Sequence, residues 1–140
     1  MNGYLYSDLS VGMTETFVHS FTDKDESMFR KITGDNNPMH YDDYFARIEA
    51  GFEKHISYGM LTASLLSTMA GVYLPGKYSL IHSIDSIKFK TPVYYSNNLY
   101  VVGSIIEMYD ALQLICVNVK ITNEEKRTVC TAKMKIKVLK

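Results

Sequence analysis

The sequence has little of what a disulfide framework or a metal site requires. Its 140 residues include two cysteines, Cys116 and Cys130, and neither belongs to a Cys-x-x-Cys or Cys/His ligand pattern. Both lie among alternating apolar residues, so they are predicted to be buried free thiols, with a disulfide as the less favoured alternative. No metal site is expected, and free thiols fit a reducing cytoplasm.

An excess of charge of either sign is also missing. Lysine and arginine total 15, as do aspartate and glutamate, so the formal net charge is 0 at pH 7. A chain with this balance has no net positive charge that would attract nucleic acid or anionic lipid. Lys133, Lys135 and Lys137 form a basic row without interleaved aromatic residues, so a solvated strand face is favoured over a nucleic-acid site.

One uncharged stretch requires a membrane test. The segment between Lys54 and Lys77 has no charged residue and about the length of a spanning helix. Hydroxyl residues and glycines dilute it, so a buried helix of a soluble protein is predicted instead. The N-terminus lacks a basic region followed by an apolar stretch, so no signal peptide is expected. We therefore expect a cytoplasmic protein without membrane contact.

Repeats and linkers are absent too, and residues 1–140 are predicted to form one domain. Residues 14–22 alternate as a first strand. A short helix follows, with Asp23 as its predicted cap and Gly34 as its end. Its apolar stripe is predicted to consist of Met28, Phe29 and Ile32.

The second half of the chain changes from a helical to an alternating period. A long apolar helix is predicted over about 57–73, ended by Leu74-Pro-Gly. Four strands are predicted after it, at 79–93, 99–108, 112–122 and 128–138. Short connections favour antiparallel pairing, and the long helix must cover one face of the sheet. The sequence therefore predicts an α+β fold, a curved antiparallel sheet wrapped around one long central helix.

The segment most typical of chemistry is the loop after the first helix. Asp35 and His40 lie five positions apart, and Asn37-Pro38 between them restricts the backbone. A carboxylate and an imidazole in one pocket can hold a water molecule and exchange protons near neutral pH. On spacing alone, Asp35 as a turn residue and His40 as a rim residue remains the stronger alternative.

The run Gly34-Asp-Asn-Asn-Pro-Met-His40 resembles the signature of MaoC-like (R)-specific enoyl-CoA hydratases. Two later blocks, Gly59-Met-Leu-Thr-Ala-Ser64 and Phe89-Lys-Thr-Pro-Val93, resemble the same family in the same order. The resemblance implies a hot-dog fold and an enzyme, a hydratase or dehydratase. It would interconvert trans-2-enoyl and (3R)-3-hydroxyacyl thioesters, with CoA or the phosphopantetheine of an acyl carrier protein entering as part of the substrate and no other cofactor.

The resemblance also implies roles for residues at the matching positions. Asp35 and His40 would activate the water, Ser64 would orient Asp35, and Asn37 would shape the loop. A helix N-terminus offers unpaired backbone N–H groups, so Gly59 at the start of the long helix is the expected donor to the thioester oxyanion.

The aromatic stretch from Tyr41 to Tyr58 is predicted to meet the acyl chain, although sealing a dimer is an equally good interpretation. Tyr58 stands where the family commonly has histidine, and His55 where it commonly has proline. A phenol pointing inward would favour short or oxygen-bearing acyl groups. The predicted lining residues are Phe45, Phe52, Ile56, Tyr58 and Met60.

Two other functions share the predicted fold. A hot-dog thioesterase usually carries a carboxylate on its central helix, but residues 54–77 contain none. A non-catalytic acyl-thioester-binding domain would not need both Asp35 and His40. Because the sheet has an open edge, a homodimer is expected, and further assembly of dimers stays open.

Overall fold

The computed structural model describes residues 1–140. Its five strands form one antiparallel sheet in the order β1-β3-β4-β5-β2, as the alternating patterns predict. The strands are β1 Thr14–His19, β2 Ser79–Phe89, β3 Leu99–Tyr109, β4 Leu114–Thr122 and β5 Thr128–Val138. β2 ends earlier than predicted, shortly before Pro92, which has no N–H to donate to a ladder.

The sheet is curved, and its concave face holds the core. Register shifts interrupt the β2–β5 ladder twice and the β3–β4 ladder between Ile105 and Glu107. Such irregularities bend strands and increase their twist. On β5 the predicted face is buried, whereas Lys133, Lys135 and Lys137 are only partly covered.

The central helix covers this concave face but is less regular than predicted. It begins at Gly59 rather than Ser57 and consists of three consecutive segments. The Ser64 hydroxyl donates to the Leu61 carbonyl at 2.6 Å, a local bond that competes with the helical ladder. The segments are α3 Gly59–Ala63, α4 Leu65–Thr68 and the π-helical turn Met69–Tyr73.

The first helix, α1 Asp23–Thr33, differs from the prediction in its cap and its inner face. Thr22, not Asp23, is the cap, and it exchanges hydrogen bonds with Asp25. Ile32 is 83% exposed and Met28 46% exposed, so the predicted apolar stripe is wrong for two of its three residues. Instead, the helix directs Glu26 and Phe29 toward the start of the central helix.

A second short helix, α2 Asp43–Ile48, lies in the aromatic stretch from Tyr41 to Tyr58, where no helix was predicted. Asp42 caps it by accepting hydrogen bonds from the backbone of Tyr44 and Phe45. Both cysteines are buried and free. None of the helices combines the length and the apolar content needed to cross a bilayer.

Candidate active site

The loop after α1 is held by two side chains that bind its own backbone. The Asp35 carboxylate accepts a hydrogen bond from the Asn37 amide at 3.1 Å, and the Asn37 side chain accepts one from the Met39 amide at 3.1 Å. Pro38–His40 then form one 3-10 turn. Asn37 thus shapes the loop as expected. Asp35 is a turn residue too, with one carboxylate oxygen free of partners in the chain.

The ring orientation of His40 is set by the residues that precede the central helix. Its Nδ1 lies 2.8 Å from the Ile56 carbonyl oxygen. A carbonyl can only accept, so Nδ1 carries the proton and Nε2 is the basic nitrogen of the neutral ring. The Tyr58 ring packs on the imidazole with centroids 4.0 Å apart. His40 is therefore held as a proton acceptor.

Tyr58 connects the two residues that are predicted to be catalytic. Its side chain is almost completely buried, and its hydroxyl donates to the Asp35 backbone carbonyl at 3.0 Å. Burial raises the pKa of this phenol, so it remains a donor at neutral pH. Tyr58 thus stabilises the loop through this hydrogen bond and also lines the cavity next to it.

Asp35, His40 and Gly59 line one cavity of about 310 Å³, together with Tyr58 and Met60. A neighbouring cavity of about 250 Å³ also contains His40 and Gly59. Its apolar walls are Ile56, Phe89, Pro92, Val93 and Val129. Both cavities thus have polar and apolar lining residues, and Asp35 borders only the one of about 310 Å³.

Gly59 contributes a backbone amide rather than a side chain. Its N–H lies at the start of the central helix and has no hydrogen-bond partner in the chain. A Cβ at this position would meet the Phe89 ring at 3.4 Å. An unpaired amide therefore borders both cavities next to His40.

Three predicted residues do not join this group in the single chain. The Ser64 hydroxyl is bonded to its own helix, at the Leu61 carbonyl. Phe45, on α2, and Phe52 are half-buried and line neither cavity. Phe45 thus belongs to a helix, α2, that the sequence patterns do not predict.

The sequence patterns do not assign two further residues, Phe89 and Glu26, to this region. Phe89 lines both cavities, and the only sequence signal for it is its place at the head of the Phe-Lys-Thr-Pro-Val block. Glu26 is buried, and its carboxylate accepts hydrogen bonds from the Ser57 hydroxyl and the Tyr58 amide. Desolvation by burial raises the pKa of Glu26. In the sequence it resembles an ordinary acid in the first turn of a helix.

Comparisons with known proteins agree with this geometry. A family model described as "MaoC like domain" matches residues 11–127. The chain is 33% identical over 103 residues to 3-hydroxybutyryl-CoA dehydratase of Methylorubrum extorquens, covering 74% of this chain and 60% of the relative. It is 41% identical over 86 residues to (R)-specific enoyl-CoA hydratase of Aeromonas caviae, covering 61% and 63%. These alignments thus span less than two thirds of either relative.

Solved structures match over more of the chain. An (R)-hydratase from A. caviae involved in PHA biosynthesis superposes with a TM-score of 0.87 at 28% identity, covering 93% of this chain and 97% of that one. An unliganded R-hydratase from Pseudomonas aeruginosa gives a TM-score of 0.88 at 25% identity, covering 96% and 84%. The fold is the expected hot-dog fold. The chain contains no cluster of three or more His, Cys, Asp or Glu side chains able to hold a metal ion.

Proposed function

The chain belongs to the MaoC-like domain family, and from that premise we propose that it hydrates trans-2-enoyl thioesters to (3R)-3-hydroxyacyl thioesters, or catalyses the reverse dehydration. One observation carries the proposal: Asp35, His40 and the unpaired Gly59 amide border a single cavity. These groups supply a proton acceptor, its partner and an oxyanion donor, which are what addition of water to a conjugated thioester requires.

In the proposed reaction one water molecule lies between the Asp35 carboxylate and Nε2 of His40. As its oxygen bonds to C3, the C2–C3 π electrons move toward the thioester carbonyl and place negative charge on its oxygen. The Gly59 N–H stabilises this charge. The pair takes one proton from the water and returns one to C2, which re-forms the carbonyl. The sum is H at C2 and OH at C3.

No metal or redox cofactor is part of this proposal. The chemistry moves protons only, and two side chains near neutral pH can do so. CoA or the phosphopantetheine of an acyl carrier protein enters with the substrate. Chelation with EDTA should therefore leave the rate unchanged.

The cavity of about 250 Å³ beside His40, with its apolar wall of Ile56, Phe89, Pro92, Val93 and Val129, is the proposed acyl site. Tyr58 does not line this cavity, so it would act as a brace for Asp35 and His40 and not as a plug. The preference for short or oxygen-bearing acyl groups was expected from a Tyr58 ring pointing into the acyl site, so acyl selectivity stays a prediction. Rates measured with a series of enoyl-CoA chain lengths test this, because a long open tunnel would gain about 0.8 kcal/mol of binding per methylene.

A homodimer is the proposed active form. Met60 and Phe89 line the cavity yet are 60% and 51% exposed, and Leu80 on β2 is 58% exposed. β2 is also an unpaired edge of the sheet. A second copy paired along this edge would cover these side chains and close the site. Light scattering after gel filtration measures the mass, and Leu80→Lys should shift dimer to monomer.

The free, buried thiols support a reducing compartment, and we propose the cytoplasm as the location. The direct test of function is the absorbance of crotonyl-CoA, whose conjugated double bond disappears on hydration. The expected product is (3R)-3-hydroxybutyryl-CoA, identified by chiral chromatography. Hydrolysis to free CoA without hydration would instead favour a thioesterase, and tight binding without turnover would favour a non-catalytic domain.

A further inference from the structure

Glu26 is a buried acid that the proposed mechanism does not use. It is 8% exposed, on the inner side of α1, and forms no salt bridge. Its carboxylate accepts a hydrogen bond from the buried Ser57 hydroxyl and another from the Tyr58 amide, the latter at 3.5 Å. Because a buried carboxylate is costly, both of its partners are needed to hold it in place.

The residues that Glu26 binds belong to a three-residue segment, Ile56–Tyr58, that supports the loop of Asp35 and His40. The Ile56 amide donates to the Met39 carbonyl at 3.1 Å, and the Ile56 carbonyl accepts from His40 Nδ1 at 2.8 Å. Tyr58 adds its ring contact with His40 and its hydrogen bond to the Asp35 carbonyl. All of these contacts depend on where this segment lies.

The segment is fixed from two sides. From the strand side, the Ser57 amide donates to the Val93 carbonyl at 2.7 Å. From the side of α1, Glu26 accepts hydrogen bonds from the segment, and Phe29 packs on the Tyr58 ring with centroids 5.2 Å apart. Directly after the segment comes Gly59, whose amide is the proposed oxyanion donor.

We propose that Glu26 is a positioning residue for catalysis: by binding the Ser57 hydroxyl and the Tyr58 amide, it holds the segment that orients His40 and begins the central helix. This inference rests on the proposed function, since it assigns Glu26 to the same site. Glu26 touches neither water nor substrate in this role. It acts through Ile56 and Tyr58.

The proposal predicts different results for two substitutions of the same residue. Glu26→Gln keeps both hydrogen bonds to the segment, because its amide can donate to the Ser57 oxygen and its carbonyl can accept from the Tyr58 amide. Glu26→Ala leaves both groups unpaired and frees the segment. We expect Glu26→Ala to lower kcat about tenfold with KM within about twofold, and Glu26→Gln to retain kcat within about threefold. Lys24→Ala, on the exposed side of α1, is the matched control.

Several outcomes would overturn the proposal. One is wild-type kcat in folded Glu26→Ala; another is an equal loss in Glu26→Gln, which would make the charge and not the position important. If Glu26→Ala does not fold, Ser57→Ala removes the same contact and is expected to lower kcat severalfold. Where both fold, the double variant should lose no more than Glu26→Ala alone, since both act through one contact. Additive losses would contradict this.

A measurement that needs no turnover separates this inference from the proposed function. Long-range ¹H–¹⁵N spectra of neutral histidine distinguish a protonated Nδ1 from a protonated Nε2. We expect His40 to carry its proton on Nδ1 in the wild type and in Glu26→Gln, and to show a mixture of both forms in Glu26→Ala. Unchanged His40 signals in Glu26→Ala would refute the positioning role even if the wild type hydrates enoyl thioesters. An inactive wild type with the expected spectra would refute only the function.

Discussion

The two ends of the central helix are held in different ways. At the C-terminal end, Leu74 is fully buried, and the backbone of Asn2 pairs with the Val72 carbonyl at 2.7 Å and with the Lys77 amide at 3.0 Å. At the N-terminal end, the side chains of Glu26, His40 and Tyr58 add their hydrogen bonds to the backbone bonds of the segment Ile56–Tyr58, and the Gly59 amide stays unpaired beside two cavities. The C-terminal end is thus closed by backbone pairing and burial, whereas the N-terminal end relies partly on side chains and keeps one backbone donor free.

From this difference we expect the C-terminal end to contribute stability and the N-terminal end to contribute the proposed chemistry. Anchoring the C-terminal end through backbone hydrogen bonds and apolar burial leaves the N-terminal end free to keep an amide without a partner, at some cost in stability. Substitutions at the N-terminal end should therefore change turnover more than stability. Substitutions at the C-terminal end should do the reverse.

The largest effect on turnover is expected for the acid–base pair near the N-terminal end. Asp35→Asn and His40→Ala should each lower kcat/KM for crotonyl-CoA about a thousandfold, or ~4 kcal/mol, because each removes a proton-transfer group. The melting temperature should stay close to that of the wild type, since both side chains lie on a surface loop. Asn36→Ala, an exposed neighbour, serves as the control. A folded variant with near-normal turnover would remove that residue from the mechanism.

Gly76→Ala should have the largest effect on stability. Gly76 has a φ of +91°, and a Cβ there would lie 2.2 Å from the Asn2 carbonyl oxygen. We expect a loss of about 2–4 kcal/mol in the free energy of unfolding, measured with urea, and normal kcat in the folded fraction. Gly71→Ala is the control, because its Cβ would come no closer than 4.0 Å to Ser79 Oγ. If both substitutions are equally tolerated, the C-terminal end is not the rigid anchor.

Gly59→Ala should show the opposite behaviour. The added Cβ would meet the Phe89 ring at 3.4 Å, an ordinary contact, so the fold accepts it. Alanine also favours the helix, and stability should change by less than about 1 kcal/mol. The methyl group would crowd the thioester oxygen, and kcat should fall about thirtyfold. Unchanged turnover would mean that the substrate does not approach this amide.

Ser64→Ala should have a smaller effect, on the order of tenfold in kcat, if Ser64 orients Asp35. Within one chain the Ser64 hydroxyl bonds to the Leu61 carbonyl, and Ser64 is exposed. The hydrogen bonds of the single chain include none between Ser64 and Asp35. Stability should hardly change. A loss below about twofold would leave the Leu61 carbonyl as the sole partner of the hydroxyl.

The smallest predicted effect is a pH-dependent difference in stability at the N-terminal end. Burial raises the pKa of Glu26 in the folded protein. Its contribution is therefore fully present below the ordinary glutamate pKa and is lost as the pH rises through the raised pKa. Glu26→Gln cannot ionise, so in urea unfolding its free energy of unfolding should increase relative to that of the wild type as the pH rises above the ordinary glutamate pKa. A constant difference would mean that Glu26 is not desolvated.

The strands and the conformation of the loop that carries Asp35 and His40 could be predicted because each depends on local patterns. Alternation identifies β5 through its buried Cys130 and Met134, and Gly34 ends α1 with a φ of +73°. The run from Asp35 to His40 is recognisable because the side chains of Asp35 and Asn37 bind the backbone two residues on. These features depend on interactions between residues close in the sequence, so the sequence pattern alone indicates them.

Features set by tertiary contacts could not be predicted. Glu26 is hydrophilic and lies in the first turn of a helix, where acids are usually solvated, so its burial against Ser57 leaves no sequence signal. Phe45 resembles a pocket residue, but α2 turns it away from both cavities. Ile32 resembles a core residue and is 83% exposed.

We propose that Asp35 and His40 act as one unit on one water molecule. The rate of crotonyl-CoA hydration by Asp35→Asn, His40→Ala and the double variant, all shown to be folded, tests this directly. We expect the double variant to be about as slow as either single variant, roughly a thousandfold below the wild type, because removing either member disables the unit. Losses that multiply toward a millionfold, or a single variant that keeps most of its rate, would contradict it.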